Sequence, residues 1–96
     1  MSTATKEQVR DRFIAVTVRD PTGHRSVVLE GLRASASVPE IRSRAIASLH
    51  LPEEVDWSLR HDRSGRLLRE DERLREFADK ESPHAELTLQ PDAGLG

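Results

Sequence analysis

The residues best placed to do chemistry stand at the end of the chain, where Gly94, Leu95 and Gly96 close a stretch that begins as a strand. Leu87 and Leu89 alternate with Thr88 and Gln90, the period of a strand with one buried face. Pro91 has no N–H to give a ladder and is expected to stop the pairing there. Residues 91–96 are then expected to form a flexible tail. A buried strand running into a segment too small to pack, and ending on glycine, puts the free carboxylate of Gly96 forward as the reactive group. Gly94 and Leu95 would be its lead and the folded body its handle. The ordinary alternative is a terminus that frays and carries small residues. Glycine is about 7% of average sequence, so Gly96 decides little without the rest of the chain.

Other reactive groups are scarce. The chain has no cysteine, which removes disulfides, thiolate metal sites and a cysteine nucleophile, and fits a reducing compartment. His24, His50, His61 and His84 are not spaced as metal ligands. His50 is expected near a helix C-terminus, where a charged imidazole meets the dipole favourably. No serine sits in a nucleophile elbow, and Ser64 beside Gly65 reads as turn chemistry. Neither an enzyme active site nor a bound cofactor or metal is expected.

Charged residues make up 33% of the 96, nearly balanced to a formal net charge of -2. The basic excess of a nucleic-acid binder is missing, and Phe13, Trp57 and Phe77 are too few for a base-stacking platform. All of the 15 basic residues except Lys6 and Lys80 are arginine, the bias a GC-rich bacterial genome produces. The dense charges of residues 60–75 read as a solvated face, a docking surface being the less common use. No apolar run approaches a membrane span and the N-terminus lacks a signal-peptide apolar region, so a cytoplasmic monomer with no membrane partner is expected.

The elements follow from pattern. Residues 1–11 are polar and without sustained period, and are expected to be a flexible leader. Ile14, Val16 and Val18 alternate with Phe13, Ala15 and Thr17 as a first strand. Pro21 and Gly23 suit a tight turn with a left-handed residue, and a second strand over 25–30 returns with Val27 and Leu29 inward. Residues 31–36 read as a connection. Ser37 stands three before Glu40 in capping-box spacing, with Pro39 in the first turn. Val38, Ile41, Ala45 and Leu49 make the apolar stripe of one amphipathic helix, with Arg42, Ser43 and Arg44 facing water and Leu51 and Pro52 ending it. Val55, Trp57 and Leu59 mark a third strand over 55–61, Leu67 and Leu68 a short fourth, and Leu74 and Phe77 a helical turn pinned by two side chains. One helix between hairpins in a domain this size packs on one face of a mixed sheet, with the first and last strands parallel neighbours. The fold class expected is α+β, a β-grasp of four to five strands spanning residues 12–90.

In this order of elements, over roughly residues 12–96, the sequence resembles the ubiquitin-like family. Thr22 and Gly23 in the first hairpin, the single capped helix and the short fourth strand all match. The most specific stretch runs from Leu74 through Phe77 to Lys80, Glu81 and Ser82, similar to the segment where ubiquitin anchors a turn with a leucine and an aromatic before its last strand. The spacing from Leu87 to Gly96 matches as well. A bacterial ubiquitin-like protein, of the kind encoded beside its own enzymes, is what the chain most resembles.

The resemblance implies covalent attachment. An activating enzyme adenylates the terminal carboxylate with Mg-ATP, passes the acyl group to cysteine as a thioester, and a conjugating enzyme delivers it to an amine or other nucleophile on a target protein. A JAB-type peptidase would reverse the bond. Glycine suits that carboxylate because, without Cβ, it threads a narrow channel and leaves the carbonyl carbon open. The chain would be a substrate and bind no cofactor of its own. Lys80 corresponds to a lysine at which ubiquitin forms chains, although its ordinary reading is a solvated surface lysine. Two departures stand out. Leu95 separates Gly94 from Gly96 where the family has adjacent glycines, and Pro91 and Asp92 replace a basic tail. Arg60, Thr88 and Gln90 also occupy the outward face where ubiquitin carries its apolar patch, so its receptors are not expected to bind. A non-covalent binding module resembling the accessories of bacterial secretion systems, and a sulfur carrier with a terminal thiocarboxylate, remain alternatives.

Overall fold

The computed structural model describes residues 13–79 and 83–92. Its elements are strands β1 (Phe13–Arg19) and β2 (Ser26–Arg33), helix α1 (Val38–Leu49), strand β3 (Trp57–His61), the single-turn helix α2 (Leu74–Phe77) and strand β4 (His84–Pro91). The sheet runs in the order β2-β1-β4-β3. β1 pairs antiparallel with β2 and parallel with β4, and β3 closes antiparallel onto β4. The mixed four-stranded sheet with one main helix is the β-grasp expected from the pattern, and its first and last strands are the parallel pair.

Alternation delivers the core. Val16, Val18, Leu87 and Leu89 are fully buried in the two central strands, and Leu59 joins them from β3. Against them α1 lays Val38, Ile41, Ala45 and Leu49, the stripe read from helical spacing. Each large side chain so buried contributes about 1.5–3 kcal/mol relative to exposure. Ser37 caps α1 by accepting the Glu40 N–H at 3.2 Å. The helix stops at His50, whose φ of 58° is left-handed. Its N–H donates to Ala47 and that of Leu51 to Ile46, the double bond pattern of a Schellman stop. Arg25 reaches over from the hairpin to donate to the Leu49 carbonyl, a cation at the helix's negative end.

Four expectations about the extent of the elements change. β2 continues past Glu30 to Arg33, because Gly31 at φ 75° makes a bulge in the strand and does not begin a connection. The register shows it: Val16 faces Leu29 and Ile14 faces Leu32, so one extra residue is absorbed in β2. Leu67 and Leu68 form no strand. A single bridge joins Leu67 to Arg60, and Leu68 is buried. β3 begins at Trp57, two residues later than alternation suggested, since 53–55 turn. Pro91 is the last ladder residue, opposite Trp57, a strand-end position where its missing N–H costs least.

The charged run is not wholly a solvated face either. Glu72 is buried, with 3% of its surface exposed. Arg66 binds it with both terminal guanidinium nitrogens, and the Arg69 N–H adds a bond at 2.9 Å. The Glu72 carbonyl accepts from Val38 at 3.3 Å, which ties this loop to the start of α1. Arg42, expected in water, is half-buried and pairs with Glu70.

Candidate functional site

Gly94, Leu95 and Gly96 lie outside the described residues, and what the structure gives is the root from which they extend. β4 lies between β1 and β3; β1 accompanies it as far as Thr88, and β3 alone carries the pairing on to Pro91 at the exit. Beyond Pro91 the Asp92 N–H donates to the Asp56 carbonyl at 2.7 Å. Trp57, facing Pro91 across the ladder, is held in turn by its indole N–H on the Pro52 carbonyl at 2.8 Å. Around this exit lies an open hollow of about 320 Å³ lined by Arg42, Asp56, Trp57, Glu70 and Asp92 among others. The Arg42 guanidinium donates to both Glu70 oxygens, the Nη2 bond to Oε1 measuring 3.0 Å. That contact holds the Glu70 carboxyl below its ordinary range and raises the Arg42 guanidinium above its own, against the smaller opposing effect of burial.

Lys80 also lies outside the described residues. Its neighbour Asp79 donates its N–H to the His84 carbonyl at 2.9 Å, and its carboxylate accepts from Arg63 at 2.9 Å. Asp79 therefore sits beside the first residue of β4, and the tail leaves past the last. Eight strand residues separate the two, about 26 Å at 3.3 Å per residue. The fold thus does not bring the roots of the expected donor and acceptor together.

The outward face over β3 and β4 is polar and internally paired. Asp62 accepts from Arg19 at 2.7 Å and from the Thr88 hydroxyl at 2.7 Å, with Arg60 at 3.9 Å and Glu86 3.5 Å from Arg19. Thr88 faces Arg60 and Gln90 faces Ser58 across the β3–β4 ladder, so Arg60, Thr88 and Gln90 share this face as alternation indicated. The connecting role of Asp62 was not legible, because an Asp before Arg63 and Ser64 carries the signature of any turn. Asp20 is similar. Burial alone would raise its carboxyl, but bonds from the Thr22 hydroxyl, the Arg25 and Gly23 N–H groups and the Arg25 charge outweigh this and lower it.

The histidines are dispersed. His84 Nε2 lies 3.1 Å from the Thr17 hydroxyl and His61 Nδ1 2.9 Å from that of Ser64. Among the described residues no three His, Asp or Glu side chains converge as a metal site, and no helix is long and apolar enough to cross a membrane.

No protein-family model matches the sequence, and no curated protein does. Solved structures do match. A ubiquitin from Caldiarchaeum subterraneum superposes with a TM-score of 0.66 at 20% identity, over 84% of this chain and 95% of its own. The ubiquitin-like domain of an Arabidopsis thaliana protein gives 0.64 at 19%, over 88% and 82%. A designed protein based on ubiquitin gives 0.65 at 17%, over 84% and 90%. The chain has the ubiquitin-like β-grasp fold. Identity at this level speaks for the fold alone, so the chemistry rests on what this ubiquitin-like domain carries: a fixed tail root, a paired polar face over β3 and β4, and an Arg66–Glu72 clamp around a buried carboxylate.

Proposed function

We propose that this ubiquitin-like chain is a bacterial protein modifier, joined to its targets through the carboxylate of Gly96 after ATP-dependent activation by an enzyme of its own. The observation that supports the reading best is the tail root. Pro91 closes the ladder and Asp92 is bonded to Asp56, only four residues before Gly96. Four extended residues reach about 14 Å at most, enough to enter an enzyme channel while the folded body stays outside.

The partner supplies the chemistry. A carboxylate is a poor electrophile; attack of its oxygen on the α-phosphate of Mg-ATP expels pyrophosphate and leaves an acyl-adenylate. A partner thiol displaces AMP to give a thioester, and a target amine displaces the thiol to give an isopeptide bond. This chain contributes the acyl group and is substrate, not catalyst. Leu95 between the two glycines, and Asp56 and Asp92 at the exit in place of a basic tail, require an activating enzyme shaped for this sequence. Conjugating enzymes, a JAB-type peptidase and protein targets would complete the set, with Lys80 as an acceptor on the modifier itself.

Incubation with the candidate activating enzyme and Mg-ATP, read by intact mass, should yield a terminal adenylate, thioester or conjugate that is lost when Gly96 is deleted. A competent enzyme that forms none of these sinks the reading. The non-covalent module is favoured by a separate observation: Phe13 and Val28 are 59% and 52% exposed on one face of β1 and β2. Partner binding that survives deletion of Gly96 and is lost on Phe13→Ser would favour that second reading.

A further inference from the structure

Ser64 and His61 meet across a tight turn. Ser64 Oγ lies 2.9 Å from His61 Nδ1, and the Arg66 backbone N–H donates to the same oxygen at 3.3 Å. Two backbone bonds close the turn: the His61 N–H donates to the Arg66 carbonyl at 2.8 Å, and the Gly65 N–H to the His61 carbonyl at 2.7 Å. Gly65 takes the left-handed φ of 75° that this closure demands. The Asp62 N–H donates to the Glu86 carbonyl at 3.0 Å and anchors the turn on β4. Phe77 fixes the imidazole, with ring centroids 6.1 Å apart and planes at 66°, the edge-to-face geometry aromatic rings prefer.

A hydroxyl is a weak nucleophile until an adjacent base takes its proton. Here the hydroxyl belongs to an exposed primary alcohol, and the space beside it is open: apart from its chain neighbours Ser64 and Arg66, a Cβ added at Gly65 would meet no atom within 4 Å. Thr17 and His84 make a comparable pair, but Thr17 is half-buried in mid-strand and branched at Cβ, which hinders approach. We propose that Ser64 is a nucleophile primed by His61 and an acceptor of activated acyl groups. Ser64 Oγ bonds to the acyl carbonyl carbon as its proton passes to His61 Nδ1, the ring entering neutral with its proton on Nε2. The bond to the leaving group then breaks; the leaving group departs with the electron pair and takes the proton from the imidazolium. The product is a serine ester. This inference stands apart from the tail chemistry; if the chain is also an acyl donor through Gly96, Ser64 joins Lys80 as an acceptor and forms the ester-linked product.

The test uses the full chain and p-nitrophenyl acetate as the acyl donor, with acetylated positions located by peptide mass. Ser64 should acetylate about 100-fold faster than the exposed Ser26 and Ser43 of the same molecules, the lower end of what a positioned base supplies. The label should be released by hydroxylamine and be absent in Ser64→Ala. His61→Gln should remove the advantage over Ser26 and Ser43, and free imidazole added to His61→Ala should restore it in part. Equal labelling of the three serines, or an advantage that survives His61→Gln, overturns the proposal. The comparison among serines needs no variant, so it stands even where a substitution at His61 weakens the fold.

Discussion

Arg66 grips Glu72 through two parallel hydrogen bonds, Nη1 to Oε2 at 2.7 Å and Nη2 to Oε1 at 3.0 Å. These bonds hold the Glu72 carboxyl down at about 2 from an ordinary 4.5; burial opposes them, and the Arg69 N–H and the charges of Arg66 and Arg69 assist. An unfolded chain takes up this proton near pH 4.5, whereas the folded chain resists it until about 2. The stabilisation is therefore complete above pH 4.5 and is lost as pH falls from there towards 2. Because Arg66 remains half exposed, solvent screens part of that contribution. Denaturant titrations from pH 7 to pH 2.5 should show this loss in the wild type and a markedly flatter profile in Glu72→Gln. Equal slopes for the two would mean that the clamp does not govern acid stability.

His50 holds a left-handed conformation that favours glycine, at φ 58° and ψ 43°. Its N–H makes the capping bond to Ala47, which any non-proline residue would keep. His50→Gly should therefore stabilise the domain by about 0.5–1 kcal/mol, raising the melting temperature by roughly 3–6 °C for a domain of this size. His50→Val, branched at Cβ, should lower it. A melting temperature that falls with glycine would show that the His50 side chain contributes more than its backbone strain costs.

These two residues mark where the sequence stops being legible. Alternation over Ile14, Val16 and Val18 and over Leu87 and Leu89, with the helical stripe from Val38 to Leu49, exposes the core because one-dimensional period maps directly onto buried faces. Gly23 was readable since a proline-led turn needs a left-handed residue, and it lies at φ 79°. Gly31 has the same conformation but sits where a strand and a connection look alike. Glu72 stands in a run of charges with no period, and its burial depends on Arg66 folding back from six residues away. The candidate site divides in the same way. The polar outer face follows from alternation at Arg60, Thr88 and Gln90, whereas the Ser64–His61 pair depends on a turn geometry that the sequence leaves open.

Asp62 links three strands through side chains, accepting from Arg19 of β1 and Thr88 of β4 just beyond the end of β3. Removing it leaves a half-exposed arginine and a hydroxyl that water can satisfy. Asp62→Ala should cost only about 1 kcal/mol in denaturant unfolding. The same polar face should leave the chain unable to retain a ubiquitin receptor domain that reads an apolar patch; in a pull-down against ubiquitin, only ubiquitin should bind. Retention of this chain by such a domain would show that another face substitutes.

The bond from Asp92 to Asp56 separates a fixed root from the tail, and it can be cut without touching the core. Asp92→Pro removes the donor. The lost bond lies at the end of a strand, so the melting temperature should fall by only a few degrees, consistent with about 1 kcal/mol for one hydrogen bond. Its local effect should be larger. Amide exchange at Trp57 and Ser58, which face Pro91 and Gln90, should accelerate because the ladder frays from the end that Asp92 had pinned, while exchange at Leu59 and Leu87 should hardly change. On the modifier reading, a freer root lets the tail enter the activating enzyme from more directions but lowers its preorganisation, so adenylation should slow and Gly96 should remain the attachment point. If Trp57 and Ser58 exchange unchanged in Asp92→Pro, the root is fixed by the Trp57 indole on Pro52 and by the ladder alone, and the Asp92 bond has no part in aiming the tail.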